Sequence, residues 1–330
     1  MYGVAVAWPI TWDDIVAARA RIAPYLTPTP LRGYATLDDE VGRGVRVLVK
    51  HENHLPTNAF KARNAMSFMA ALPDDQRRRG VVAATRGNHG AGLAWAGAQL
   101  GVPVVICVPV GNNVEKNAAM RGYGAELVEA GADYDEAVGN AVRIADTRGL
   151  VMAHSTNDAN VIAGAATMSA EICEQAPPEL DAIVVAVGGG SQAVGAIVAA
   201  QQLRPTVKVY GVQAAEASSI HDSWHAKQRT STGKAATFAD GLATRSTYDL
   251  TWPALRDGLA GFVAVSEAQL AEAVRMMIRT THNLVEGAGA AGLAGVLALR
   301  EQLAGKTVAC VLSGSNIDAD TLRRILAREL

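Results

Sequence analysis

Short β-branched runs and longer helical stretches take turns along most of this chain, and that alternation admits few folds. The runs are "VRVLVK", "GVVAAT", "VPVVICVP", "AELVEAG", "LVMAHS", "AIVVAVG", "VKVYGV" and "TVACVLSG". Between them lie segments with apolar residues at helical spacing, such as "AGLAWAGAQLG", "YDEAVGNAVRIADTRG" and "EAQLAEAVRMMIRTTH". Strand and helix in alternation build mainly parallel sheets, and near-continuous apolar strands suit burial on both faces. A chain of 330 residues, 49% of them hydrophobic, is long enough for about two such domains.

Four strand and helix units follow one another directly from Gln76 to His154, so residues 76–154 read as a small domain with its own sheet. Residues 1–75 and 155–330 then form a larger, discontinuous domain. The fold class is α/β, with two open twisted, mainly parallel sheets, helices on both faces and the active site in the interdomain cleft. In such sheets ligands sit beyond the carboxyl ends of strands, where glycine-rich turns lead into helices. The first helix falls at "TWDDIVAARARIAP", with Thr11 as N-cap, Asp14 three residues on and Pro24 beyond its end.

Thirty basic and thirty-two acidic residues give a net charge of -2, which argues against a nucleic-acid or anionic-membrane partner. The longest apolar stretch, "AIVVAVGGGSQAVGAIVAA", is broken by glycines, Ser191 and Gln192, so no membrane span is expected. The opening "MYGVAVAWPITWDD" lacks the basic start and cleavage site of a secretory signal. Cys107, Cys173 and Cys310 are odd in number, far apart and without metal-ligand spacing. They read as buried thiols in a reducing cytoplasm.

Four glycine-rich turns and one lysine carry the chemistry. In "ATRGNHGAGLAWA" a strand opens into a helix whose first amides face any anion in the cleft. Thr85, Arg86, Gly87, Asn88 and His89 stand there, and the same turn reads equally as a plain helix cap. "AVGGGSQAVGAIVAA" places Gly188, Gly189 and Gly190 before a helix as a phosphate cradle. It also matches the dinucleotide pattern G-x-G-x-x-A, with Glu216 about twenty residues on, which keeps a nicotinamide oxidoreductase in view. "VLSGSNID" ends a strand at Ser313, and "LVEGAGAAG" puts Glu286 before a helix, where a solvated carboxylate is the plainer reading. Lys61, in "HENHLPTNAFKARN", is one of only seven lysines and is flanked by Phe60 and an apolar helix.

These motifs, in this order, resemble the fold-type II pyridoxal phosphate enzymes of the threonine and serine dehydratase family. The matching stretches are "AFKARN", "TRGNH", "GGGS" and "SGSN", with "LTPTPL", "GAELVEAG" and "ADGLA" agreeing as well. The resemblance implies that Lys61 bonds to pyridoxal 5'-phosphate, with Phe60 and Pro56 packed beside it. It implies that Gly188, Gly189, Gly190, Ser191 and Gln192 hold the phosphate and that Ser313 meets the pyridine nitrogen. Asn88 and Glu286 would lie beside the cofactor ring, and Thr85, Arg86, Gly87, Asn88 and His89 would fix the substrate carboxylate. The activity implied is an ammonia-lyase that removes water from a β-hydroxy-α-amino acid. A β-replacement synthase of the cysteine synthase type shares the cofactor and stays open, and a homodimer is implied by the family.

Departures from the family pattern refine these expectations. Arg86 stands where serine racemases place a serine, which favours elimination over racemisation. Asn58 and Asn64 replace glycines, and asparagine tolerates left-handed backbone geometry. Ala91 replaces a glutamine and would widen the substrate side of the cleft, as for a phenylserine. After "VYG", Gln213 and Ser219 stand where relatives put an acidic pair, so no tightly bound divalent metal is expected. The chain ends soon after "SGSNID", which leaves no room for a regulatory domain.

Overall fold

The computed structural model describes residues 8–233 and 235–330. Residues 1–7, part of the opening read above for a signal, lie outside them. Among the described residues ten strands form two sheets. The larger contains β1 (Leu31–Gly33), β2 (Arg46–His51), β7 (Leu180–Ala186), β8 (Lys208–Ala214), β9 (Gly261–Val265) and β10 (Thr307–Leu312), in the order β1-β2-β10-β7-β8-β9. The smaller contains β3 (Val81–Ala84), β4 (Val104–Val108), β5 (Glu126–Glu129) and β6 (Val151–Met152), in the order β5-β4-β3-β6. Every pairing is parallel except β1 with β2.

Strand alternation sorts the core. On the larger sheet Ile183, Val185, Val209, Ala309 and Val311 face the helices Trp12–Ile22, Ala159–Gln175 and Ser191–Leu203. Their neighbours Ala182, Val184, Val212, Val308 and Cys310 face the helices Glu267–Thr281 and Gly287–Ala298. Both faces are therefore dry, as parallel sheets require. Under the smaller sheet the core draws in Ala62, Ala65, Met66 and Met69 from the helix Lys61–Ala71, which thus packs between the two layers.

That helix is fixed by a buried cluster of charges. Arg63 binds both oxygens of Glu52, at 2.7 and 3.0 Å, and both oxygens of Glu171, at 2.6 and 2.9 Å. Lys50 Nζ completes the set on Glu171 at 2.6 Å and on the Thr29 carbonyl at 2.7 Å. Two cations and two anions cancel, and each charge is hydrogen-bonded, which is what makes such burial tolerable. Removing one member leaves others uncompensated. Arg63→Met is expected to lose about 3 to 5 kcal/mol of folding stability, measured by urea denaturation; a loss below about 1 kcal/mol would show the cluster to be dispensable.

Candidate active site

The larger sheet reverses direction at its centre. The chain steps outward through β7, β8 and β9, then returns to place β10 on the other side of β7. The turns after β7 and β10 thus open a crevice beyond the carboxyl ends of the strands, and the turns after β3 and β6 face it from the smaller sheet. A cavity of about 320 Å³ lies between them. Phe60, Lys61, Thr85, Arg86, Gly87, Asn88, His89, Gly188, Gly189, Gly190, Ser191, Gln192, Glu286 and Ser313 all line it. The residues expected to hold the cofactor or the substrate carboxylate are therefore brought to one place.

Lys61 begins its helix at the cavity floor. The preceding segment is stitched to the turn after β10: Phe60 N donates to Ser313 O at 2.9 Å, and Ser315 N donates to Asn58 O at 2.9 Å. Asn58 has φ 54, the left-handed geometry expected of it. Asn64 does not, since it lies inside the helix, buried, with both amide atoms unpartnered. From the other side, Gly92 lets the helix Asn88–Leu100 press against the Lys61 peptide; a Cβ there would lie 2.7 Å from Lys61 O. Lys61 Nζ donates to Ser155 O at 2.9 Å and lies 5.0 Å from the centre of the Phe60 ring. Burial without a carboxylate partner pushes its pKa down to about 8.

At the glycine turn, the amides of Gly188, Gly189 and Gly190 find no backbone acceptor among the described residues. The helix Ser191–Leu203 starts directly after them, adding its own unpaired first-turn amides and the positive end of its dipole. Gly190 has φ +103, and a Cβ on it would meet Leu255 at 2.8 Å. Side chains on Gly188 and Gly189 would run into Gly241 O and Thr156 respectively. This is a backbone cradle suited to a phosphate dianion.

The opposite helix mouth is polar and ordered. His89 Nε2 donates to Ala153 O at 3.0 Å, and burial drives the ring's pKa down to about 3, so it is neutral. Asn316 Nδ2 donates to Asn88 Oδ1 at 2.7 Å, and Asn88 Nδ2 donates to Glu286 Oε1 at 2.6 Å. Glu286 is no solvated carboxylate. Burial lifts its pKa to about 7, against the opposing pull of Lys116.

Several lining residues carried no sequence expectation. Ser155 and Thr156 follow β6 in "AHSTND", a polar turn at a strand end that had the right position but no glycine. His154 shapes this turn by accepting from Thr156 N and Asn157 N at 3.0 and 2.7 Å. Lys116–Asp240 and Arg245–Asp135 are ion pairs of 2.7 and 2.5 Å that tie the two layers across the mouth. Ala91 is buried in the core under the smaller sheet and is not itself among the residues that line the cavity. Glu216 is exposed after β8 and away from the cavity, leaving the dinucleotide reading without its ribose carboxylate. Gln213 Oε1 accepts from Ile220 N and His221 N, and Ser219 Oγ donates to Thr244 O.

A cradle of free amides, a lysine of lowered basicity on the cavity floor and a serine at the next strand end define an enzyme for a phosphorylated carbonyl cofactor. The family described as "Pyridoxal-phosphate dependent enzyme" matches residues 22–314, and the chain belongs to it. L-threonine ammonia-lyase of Thermotoga maritima is 36% identical over 321 residues, 97% of this chain and 79% of that protein. L-threonine ammonia-lyase of Geobacter sulfurreducens is 38% identical over 288 residues, 87% of this chain and 71% of that protein. The structure of maize serine racemase superposes with a TM-score of 0.91 at 30% identity, covering 98% of both chains. The architecture is that of the fold-type II enzymes, and the cofactor is pyridoxal phosphate.

Because the folded pKa of Glu286 lies above its ordinary value of 4.5, the carboxyl favours the folded state below pH 4.5, and this is lost as pH rises through about 7. Glu286→Gln removes that dependence. In cofactor-free protein the variant should gain about 2 to 3 kcal/mol on wild type between pH 5 and pH 8, read by urea melts; a constant difference across that range would contradict the assignment.

Proposed function

We propose that this chain is an ammonia-lyase that eliminates water from a β-hydroxy-α-amino acid and yields a 2-oxo acid and ammonia. The observation that carries the reading is the shared cavity, in which Lys61 Nζ, the glycine cradle and the Asn88 helix mouth converge. Gly188, Gly189, Gly190, Ser191 and Gln192 would hold the cofactor phosphate, and Lys61 would bond to its carbonyl carbon. Ser313 would meet the ring nitrogen, with Phe60, Asn88 and Glu286 bordering the ring. When bound, pyridoxal phosphate supplies an electron sink for the pair left at the α-carbon.

The rest falls to the protein. The helix mouth at Thr85, Arg86, Gly87, Asn88 and His89 binds the substrate carboxylate through first-turn amides that have no intrahelical acceptor. Its neutral histidine adds no competing charge. Lys61 Nζ, once free of the cofactor, is the base at the α-carbon. With a pKa of about 8, roughly a tenth of it is already unprotonated at pH 7. The Ser155 carbonyl orients the amine. The β-hydroxyl leaves with one proton as water, and the released enamine hydrolyses to the 2-oxo acid and ammonia.

Arg86 bears on the outcome. A guanidinium has donors and no acceptor, so it cannot take a proton on the face opposite Lys61. Elimination, not racemisation, is the activity this arrangement supports. Three free, buried cysteines fit the cytoplasm, and a homodimer is inferred from the family. Among the described residues no helix is long and apolar enough to cross a membrane, and no group of His, Cys, Asp and Glu is arranged to hold a metal.

Purified holoenzyme should release 2-oxo acid from a panel of β-hydroxy amino acids, and Lys61→Ala should abolish release while its far-ultraviolet dichroism stays native. Persistent turnover in that variant would remove the assignment. The kcat should climb with pH and level off above about 8 as Nζ loses its proton; a profile flat from pH 6 to 9 would contradict the base role. L-serine should give 2-oxo acid without accumulating D-serine, and comparable amounts of both would overturn the preference for elimination.

A further inference from the structure

Four lysine and arginine side chains line the cavity: Lys61, Arg86, Lys116 and Arg245. Lys116 is neutralised by Asp240 and Arg245 by Asp135. Lys61 donates to the Ser155 carbonyl. Arg86 is in neither case. It makes no ion pair and no hydrogen bond among the described residues, and it stays exposed at the cavity mouth. Tyr134, on the same wall, is likewise without a hydrogen-bond partner there. Burial lifts its phenol to about 12, Tyr248 and Asp135 push the same way, and the charge of Arg86 pulls against them. The two side chains therefore lie within each other's field, and both present donors to the cavity.

The α-carboxylate already has the unpaired amides of the helix mouth. A guanidinium and a phenol set on the rim beside that mouth suit a second anionic group. Thr244 and Ser246 line the same cavity and add hydroxyls that can hydrogen-bond a carboxylate. A fork of N–H donors recognises a carboxylate in a plane, and an adjacent hydroxyl can join it.

We infer that Arg86 and Tyr134 form a subsite for an anionic group on the β-carbon of the substrate. The favoured class is then a β-hydroxy-α-amino dicarboxylate, of which 3-hydroxyaspartate is the smallest member. This deepens the lyase reading above and rests on it. Arg86 acts as a specificity-determining residue, and Tyr134 supports it.

The test compares holoenzyme of the wild type with Arg86→Met, Arg86→Lys and Tyr134→Phe. Its first readout is the ratio of kcat/KM for threo-3-hydroxyaspartate to that for L-threonine. Arg86→Met should lower the ratio by at least about thirtyfold, mainly through KM of the diacid, with partial rescue by lysine and a drop of about threefold to tenfold for Tyr134→Phe. An unchanged ratio overturns the subsite, including the case in which both substrates lose equally because Arg86 holds the α-carboxylate. The second readout needs no turnover: calorimetric titration with succinate and with butyrate. Succinate should bind at least about tenfold tighter to wild type, and Arg86→Met should erase the gap. Equal affinities in wild type overturn the subsite, whereas a retained gap without turnover on any β-hydroxy amino acid supports it and strikes only at the lyase reading.

Discussion

An ammonium group held away from water without a carboxylate is unfavourable, and Lys61 is half-buried in that way, with a backbone carbonyl as its only hydrogen-bond partner among the described residues. The surrounding structure is organised to impose this position. Ahead of the lysine, residues 58–60 are bonded to the turn that carries Ser313. Behind it, Arg63 is locked by four hydrogen bonds to Glu52 and Glu171. Above it, Gly92 allows a helix of the smaller sheet to touch its own peptide. Three independent constraints fall within three residues of Lys61 on either side, so its backbone has little freedom to move the amine toward a counter-ion. Its lowered basicity follows from that confinement.

The same economy explains the two-layer design. The reversal between β7 and β10 provides a crevice with a phosphate cradle on one lip and Ser313 on the other. The smaller sheet adds the helix mouth at Asn88, and the Asn316–Asn88–Glu286 chain crosses from one layer to the other. Ion pairs Lys116–Asp240 and Arg245–Asp135 repeat that crossing at the rim. The cradle and the helix mouth are thus on different layers and are aligned by contacts that span the cavity.

Much of this was legible in the sequence because parallel strands bury both faces and read as unbroken apolar runs. Most of the ten strands stand out in that way, although β5, with Glu126 and Glu129 at its ends, is a half-exposed edge strand. β1 does not, being three residues long and antiparallel at the sheet edge, and β9, "GFVAV", lies on the opposite edge between two helices. Glycine-rich turns marked the cradle and the helix mouths, since a Cβ there would strike backbone, as at Gly188, or packed side chains, as at Gly189 and Gly190. What stayed hidden was tertiary. Tyr134, Tyr248, Lys116 and Asp240 belong to distant segments with no shared pattern, and the cavity alone brings them together. Asn64 misled, because a residue type known for loops was here absorbed into a helix interior.

The central claim is that one particular amine carries the cofactor, and covalent mapping tests it directly. Protein loaded with pyridoxal phosphate, reduced with borohydride and digested, should carry the cofactor's mass on the peptide containing Lys61 and on no other. A label on the Lys50 or Lys116 peptide instead, or none at all, would contradict the account.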